Sequence, residues 1–356
     1  LMRSSAASDV YKRQVGHTKH GTAMVCVIVA CFFAAISGSG PATVAALGGI
    51  LIPAMSKSGY EKDTSAALMS TAGAIGIVIP PSITFVVYGS VTGTSVGDLF
   101  MAGIIPGILI GVAIYFTMVI SSRGCNLVRQ PKASGKERWK AFGDAVWGIL
   151  MPVIILGGIY GGIITPTEAA AVSAIYGLIV GMFIYKTLRF KEIVVILRQS
   201  VSQTAVVMLI IGCAAVFGKV LTFTGLASDA SQGLISIAHG NKYTFLLMVN
   251  IILIIAGCFI DANSALYILC PILFPIAKTL GIDAVHLGAV MTVNLALGLI
   301  TPPVGVNLFT GCGVAGITLT DMVKKIWPFV IALLIVLLLV TYIPQISTIL
   351  PSLMVK

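Results

Sequence analysis

The sequence predicts an all-α polytopic membrane protein with an internal, inverted repeat and a broken helix at the same place in each half. Three observations carry this expectation. Of 356 residues, 58% are hydrophobic and only 10% are charged, whereas soluble domains carry about a quarter charged residues. Apolar runs approaching the roughly 20 residues needed to cross a bilayer recur along the whole chain. The dipeptide Pro-Pro occurs twice, at 80–81 and 302–303, and sliding the chain by that offset of 222 residues brings further glycines and prolines into register.

Taken in chain order, residues 1–20 are largely polar, begin without Met and have neither the basic start nor the apolar core of a signal peptide. They are expected to be a leader that is non-native or disordered. Apolar runs follow at Gly21–Ile36, Thr64–Ile79, Leu99–Ile120, Trp147–Ile164, Ala169–Tyr185, Val201–Val220, Tyr243–Ile260, Leu287–Ile300 and Ile326–Ile343, roughly nine spans or pieces of spans. Residues 21–122 form a first half, 123–142 a basic loop, 143–242 connecting scaffold and arm helices, and 243–350 a second half.

The net charge of +10 sits between the runs. Arg123, Arg129, Lys132, Lys136, Arg138 and Lys140 fill one connection, and Lys186, Arg189, Lys191 and Arg198 another. The positive-inside rule places both in the cytoplasm, and a nucleic-acid partner is not expected. Residues 186–200 also carry an apolar stripe at Leu188, Ile193, Val194 and Leu197, which fits a helix lying on the membrane surface or a cytoplasmic linker helix. The seven cysteines show no metal-site spacing and read as small buried hydrophobes.

At the 222-residue offset Pro53 meets Pro275, Gly59 meets Gly281, Gly76 meets Gly298, Gly89 meets Gly311 and Pro106 meets Pro328. Glycine and proline fix backbone geometry, so their coincidence is harder to obtain by chance than that of Ala or Leu. Each half carries a small-residue stretch, Ser37–Pro41 and Asp261–Ala265, followed by Gly-x-x-x-Pro-Pro. Paired prolines remove amide donors and leave carbonyls unpaired, which membrane depth tolerates only inside protein or at a wet cavity. The helix after the first break ends at the basic loop, whereas its counterpart begins at Lys324-Lys325, so the halves read as inverted. An even count of apparent spans between equivalent points opposes inversion, unless one of them does not cross. Matched broken helices of this kind mark secondary transporters whose site lies near the bilayer midplane.

The stretches SGSGPATVAALGGILIPAM (37–55), GIVIPPSITFVVYG (76–89), GGIYGGIITPTEAAAV (157–172), DANSALYILCPILFPIA (261–277) and GLITPPVGVNLF (298–309) resemble the large membrane (DctM-like) subunit of tripartite ATP-independent periplasmic (TRAP) transporters. The resemblance runs over about 21–350. It implies two re-entrant hairpins, an elevator-type mechanism, and sodium-coupled uptake of a small carboxylate such as a C4-dicarboxylate or sialic acid. It also implies a small membrane subunit, a periplasmic substrate-binding protein as partner, and a bacterial or archaeal cytoplasmic membrane as location. No cofactor is implied, Na⁺ being the coupling ion.

Sodium is a hard cation and wants oxygens, which freed carbonyls and hydroxyls supply. Ser37, Ser39 and Gly40 with Gly76–Pro80 are the expected first cation site. Gly298 and Thr301 with Asp261–Ser264 are the second. Small residues that merely let helices approach are the plainer reading of each. A carboxylate substrate wants donors; no Lys or Arg falls in either hairpin, so helix N-termini and Thr43, Ser82, Thr84, Asn263 and Asn307 are the candidates. Glu168 is either a coupling carboxylate or part of a helix start at Thr165-Pro166-Thr167-Glu168. ATP hydrolysis has no GxxxxGK[ST] here. An intramembrane enzyme would need a nucleophile and base, but HExxH and GxSxG are absent and His17, His20, His239 and His286 are expected outside the deep segments. A passive channel would explain the polar breaks but not their pairing.

Overall fold

A computed structural model describes residues 20–125, 127 and 135–354. Most of the expected leader, and Arg129 and Lys132 of the basic connection, lie outside the described residues. The helices are α1 (Gly21–Ser37), α2 (Gly40–Lys57), α3 (Lys62–Ala74), α4 (Ile83–Thr92), α5 (Val96–Ser121), α6 (Gly135–Tyr160), α7 (Pro166–Ile179), α8 (Phe190–Phe223), α9 (Leu226–Ala238), α10 (Lys242–Phe259), α11 (Ala262–Thr279), α12 (Ala284–Gly298), α13 (Val306–Ala315), α14 (Leu319–Tyr342) and α15 (Gln345–Met354).

Among the described residues six helical stretches are long and apolar enough to cross a membrane: 96–121, 166–184, 190–217, 242–259, 262–279 and 319–342. The chain is thus a polytopic membrane protein. Five of the nine expected runs coincide with these stretches, 262–279 was not among the expected runs, Trp147–Ile164 is met by the shorter apolar helix 146–160, and three other expected runs are cut. Gly38 ends α1 in the left-handed region, at φ +61°, and the two Pro-Pro breaks end α3 and α12 short of a full crossing. Two further boundaries differ from expectation. Helix α6 already begins at Gly135, so Lys136, Arg138 and Lys140 belong to a helix. The stretch from Phe190 does not lie apart as a separate surface helix but continues unbroken through the following span as the 34-residue α8.

The centre of the molecule is built on α3 and α12. Every residue from Thr64 to Ala74 and from His286 to Gly298 is buried. Both helices are rich in small side chains, and two hydroxyls of α3 turn back onto the chain: Ser65 Oγ donates to the Glu61 carbonyl (2.8 Å) and Thr71 Oγ1 to the Ala67 carbonyl (2.8 Å). The other elements wrap these two in a crossed manner. Helix α2 packs on α13 and α11 packs on α4, so the second helix of each hairpin rests on the other half's post-break helix. Helices α7 and α8 lie outside this core, and only 6% of the α8 span is covered by protein. Their exposed Ile, Val, Leu and Phe side chains suit a lipid face. His286, in the first turn of α12, is buried among protein side chains, with its Nδ1 2.9 Å from Ser347 Oγ on α15.

Candidate functional site

The first hairpin turns in two residues. Gly38 caps α1 by donating its N–H to the Ala34 carbonyl, and Ser39, in extended backbone, becomes the N-cap of α2. Pro41 suits the start of α2, where its missing amide has no intrahelical partner. The turn folds its hydroxyls inward: Ser37 Oγ and Thr43 Oγ1 lie 2.9 Å apart, and both reach the Ser39 carbonyl, at 3.0 and 2.8 Å. Gly76, in the short turn at 75–77 after α3, presses on this cluster; a Cβ there would stand 2.8 Å from the Ser39 oxygen and 2.8 Å from Thr43 Oγ1. Only glycine admits that approach. A Cβ on Gly40 would lie 3.0 Å from Asn307 Oδ1, so the second half's Asn307 closes the same cluster. Asn307 Nδ2 donates to the Ser70 carbonyl (3.0 Å) while its buried Oδ1 has no partner.

The first break leans on this turn as well. Ser82 is the N-cap of α4, accepting from the Phe85 N–H (3.3 Å) and donating to the Ile77 carbonyl (2.5 Å). The Ile83 N–H points at the Gly38 carbonyl (3.4 Å). The peptide bond Pro80-Pro81 is cis, as is Pro302-Pro303. Beyond the turn lies a cavity of about 240 Å³, walled by Ser37, Gly38 and Ser82 on one side and by Ile159, Ala169 and Ser173 of α6 and α7 on the other. The N-termini of α2 and α4 both start at its edge, so their amide dipoles favour an anion there.

The second hairpin is built differently. Asp261 is the exposed N-cap of α11; its Oδ2 accepts from the Asn263 and Ser264 N–H groups (3.0 and 3.3 Å), and the Ser264 hydroxyl donates to Oδ1. The first half's Thr84, fully buried, reaches Asn263 Oδ1 at 3.5 Å. Gly298 does not face this turn but packs backbone to backbone on α10, where a Cβ would come within 2.7 Å of the Gly257 Cα. Thr301 Oγ1 returns its hydrogen bond to the Leu297 carbonyl (2.7 Å). Among the described residues no hydrogen bond joins Gly298 or Thr301 to 261–264.

Of the first predicted set Ser37, Ser39, Gly40 and Gly76 therefore come together, with Thr43 and Asn307 added and Pro80 at the adjoining break. Thr43 and Asn307, expected as substrate donors, sit in the oxygen cluster, and Thr84 joins Asn263. Glu168 forms a capping box: its Oε2 accepts the Thr165 N–H (2.7 Å) and its own N–H reaches Thr165 Oγ1 (3.3 Å), on an exposed helix start. Sequence reasoning missed Gly73 and Gly257. Gly73 stands against the Gly40 carbonyl and Asn307, and its only signal was a glycine inside a small-residue helix. Sequence reasoning did not bring together the buried triad Asn250, Asn294 and Thr341 either. Asn294 Nδ2 donates to the Asn250 carbonyl and Oδ1 (3.1 and 2.9 Å), and Asn250 Nδ2 donates to Thr341 Oγ1 (3.0 Å), tying α10, α12 and α14.

The family model described as the tripartite ATP-independent periplasmic transporter, DctM component, matches residues 4–346. The chain is 45% identical over 338 residues to a C4-dicarboxylate TRAP transporter large permease protein DctM from Pseudomonas aeruginosa, covering 95% of this chain and 79% of that protein. It is 44% identical over 335 residues to an isethionate TRAP transporter permease protein DctMQ from Oleidesulfovibrio alaskensis, 93% of this chain and 52% of that one. It is 36% identical over 342 residues to a sialic acid TRAP transporter large permease protein SiaM from Vibrio cholerae, 96% of this chain and 80% of that one.

Proposed function

This chain belongs to the DctM component family of tripartite ATP-independent periplasmic transporters, and we propose that it carries a small organic acid across the bacterial inner membrane, driven by sodium. The family is one of transporter permeases, so the chain is a permease and not an enzyme. Relatives named for C4-dicarboxylates, isethionate and sialic acid support a small organic acid as the substrate. The name DctMQ of the longer relative fits a partnership with a small membrane subunit. A periplasmic binding protein delivers the substrate.

One observation carries the sodium reading: Ser37, Thr43 and the Ser39 carbonyl converge at a broken-helix tip against bare Gly76. A hard monovalent cation is served by such neutral oxygens, and the C-terminal end of α1 adds partial negative charge beside them. In this reading a second cation is held at Asp261–Ser264, and the acid is met by the N-termini of α2 and α4 with Ser82 and the Asn263–Thr84 pair. Two inverted repeats explain the doubling. Adding 222 to the bounds 21–37, 40–57, 62–74, 83–92 and 96–121 gives 243–259, 262–279, 284–296, 305–314 and 318–343. Helices α10 to α14 span 242–259, 262–279, 284–298, 306–315 and 319–342. The repeat core moves as one body past α6–α8 in an elevator, because its crossed packing leaves little slack between the halves.

The test is uptake into proteoliposomes holding the full transporter with its partner subunits. A sodium gradient drives accumulation and a proton gradient alone does not. Equal accumulation in sodium-free buffer overturns the reading.

A further inference from the structure

We propose that the groove between α8 and the pair α4–α11 binds an anionic phospholipid, its phosphate held by Lys219. The groove measures about 790 Å³ and is walled by apolar side chains, among them Met208, Ala215 and Phe223 of α8, with Ser90 and Tyr267 on the facing helices. Lys219 is the one charged side chain among the described residues that line it. Met208 and Phe223 are 59% and 87% exposed, so the groove opens to the surface that faces lipid.

The chemistry of the lining selects the occupant. A dicarboxylate would give up its water for apolar walls. An acyl chain meets walls like those it leaves, since lipid tails are as apolar as leucine, and so gains little selectivity from them. Selectivity must then come from the head group, where a full positive charge waits. Its depth is right. Lys219 follows Arg198 by 21 residues, about 32 Å along a helix, close to the roughly 30 Å of the hydrocarbon core. The two cations therefore mark opposite boundaries, and Lys219 stands at phosphate level with its methylene stem along the groove. The site rests on the groove alone and does not depend on sodium coupling.

The experiment places the full transporter with its partner subunits in phosphatidylcholine nanodiscs doped with photoactivatable phosphatidylglycerol or photoactivatable phosphatidylcholine, and maps the adducts by mass spectrometry. Phosphatidylglycerol is expected to label the peptides of Met208 and Tyr267 about fivefold more than phosphatidylcholine, the preference one lysine confers at a membrane surface. Lys219→Gln should equalise the two, Ala215→Trp should remove both by filling the groove, and Lys191→Gln, on α8 but outside the groove, should change neither. Monodisperse elution of each variant controls for folding. Equal labelling by the two lipids in the wild type, or labelling that survives Ala215→Trp, overturns the proposal. So does displacement of the adducts by a carboxylate substrate, or cross-linking of the groove to a protein segment, because either gives it another occupant.

Discussion

At the residue scale the two hairpin tips ask for separate tests. Thr43 contributes one hydroxyl to the Ser37–Ser39 cluster and is otherwise enclosed, so Thr43→Val keeps its shape and removes an oxygen. If that cluster holds sodium, the variant needs about tenfold more sodium for half-maximal uptake, roughly 1.4 kcal/mol, and Thr43→Ser restores the wild-type value. Asp261 needs a subtler change, because its carboxylate also caps α11. Asparagine caps as well as aspartate, whereas alanine loses about 1 kcal/mol. Asp261→Asn is therefore expected to keep membrane expression near wild type while raising the sodium requirement by about tenfold. Sodium titrations of uptake decide. Loss of sodium affinity in Thr43→Val with none in Asp261→Asn would confine the cation to the first hairpin.

At the element scale what matters is how closely backbones cross. Gly298 ends α12 against Gly257 of α10, with the Cβ position of each already within about 3 Å of the other's backbone. Neither neighbour is the flexible end of a side chain, so neither can give way cheaply. Gly298→Ala should separate the two helices and lower stability by about 1–3 kcal/mol, the usual cost of overpacking, read as a lower thermal midpoint of the detergent-solubilised protein. By contrast Gly49→Ala, where nothing stands within 4 Å, should leave the midpoint unchanged or raise it slightly, since Ala is the better helix former. An equal loss from both would mean that helix propensity and not the crossing governs. The offset of 222 placed Gly298 opposite Gly76 in the sequence, yet the two meet different things, an α10 backbone and the Ser39–Thr43 oxygens. Equivalent positions in a repeat need not keep equivalent contacts once the side chains around them diverge.

At the scale of the whole molecule the halves are tied across their surfaces as well as through the core. Glu61, between α2 and α3, meets Lys325 of α14 at 2.5 Å. The hydrogen bond from Lys325 holds the Glu61 carboxyl below its ordinary pKa. A depressed carboxylate adds stability above its unfolded pKa and loses it as pH falls through the folded one. Both side chains are about half exposed, 41% for Lys325 and 56% for Glu61, so screening keeps the contribution under about 1 kcal/mol. The thermal midpoint of the wild type should thus exceed that of Lys325→Gln slightly at neutral pH, and the difference should vanish in acid and in high salt. A difference that persists below the carboxylate range would assign Lys325 a role apart from this pair.

Composition and the period of the apolar runs determined by themselves that this chain lives in a bilayer, because no other solvent accepts so few charges. Proline and glycine, which act on the backbone wherever they stand, likewise made the two breaks and the matched helix bounds legible. Tertiary structure alone decided the partners. That Asn307 closes the first hairpin while Thr84 reaches the second depends on helices brought together from more than 150 residues apart in the chain, and no local pattern encodes such a crossing. The roles of acids were ambiguous for the same reason. Glu168 read from sequence as a coupling carboxylate or part of a helix start, and Asp261 as part of a cation site; the fold shows both engaged as caps, since burial is a property of what packs around a residue.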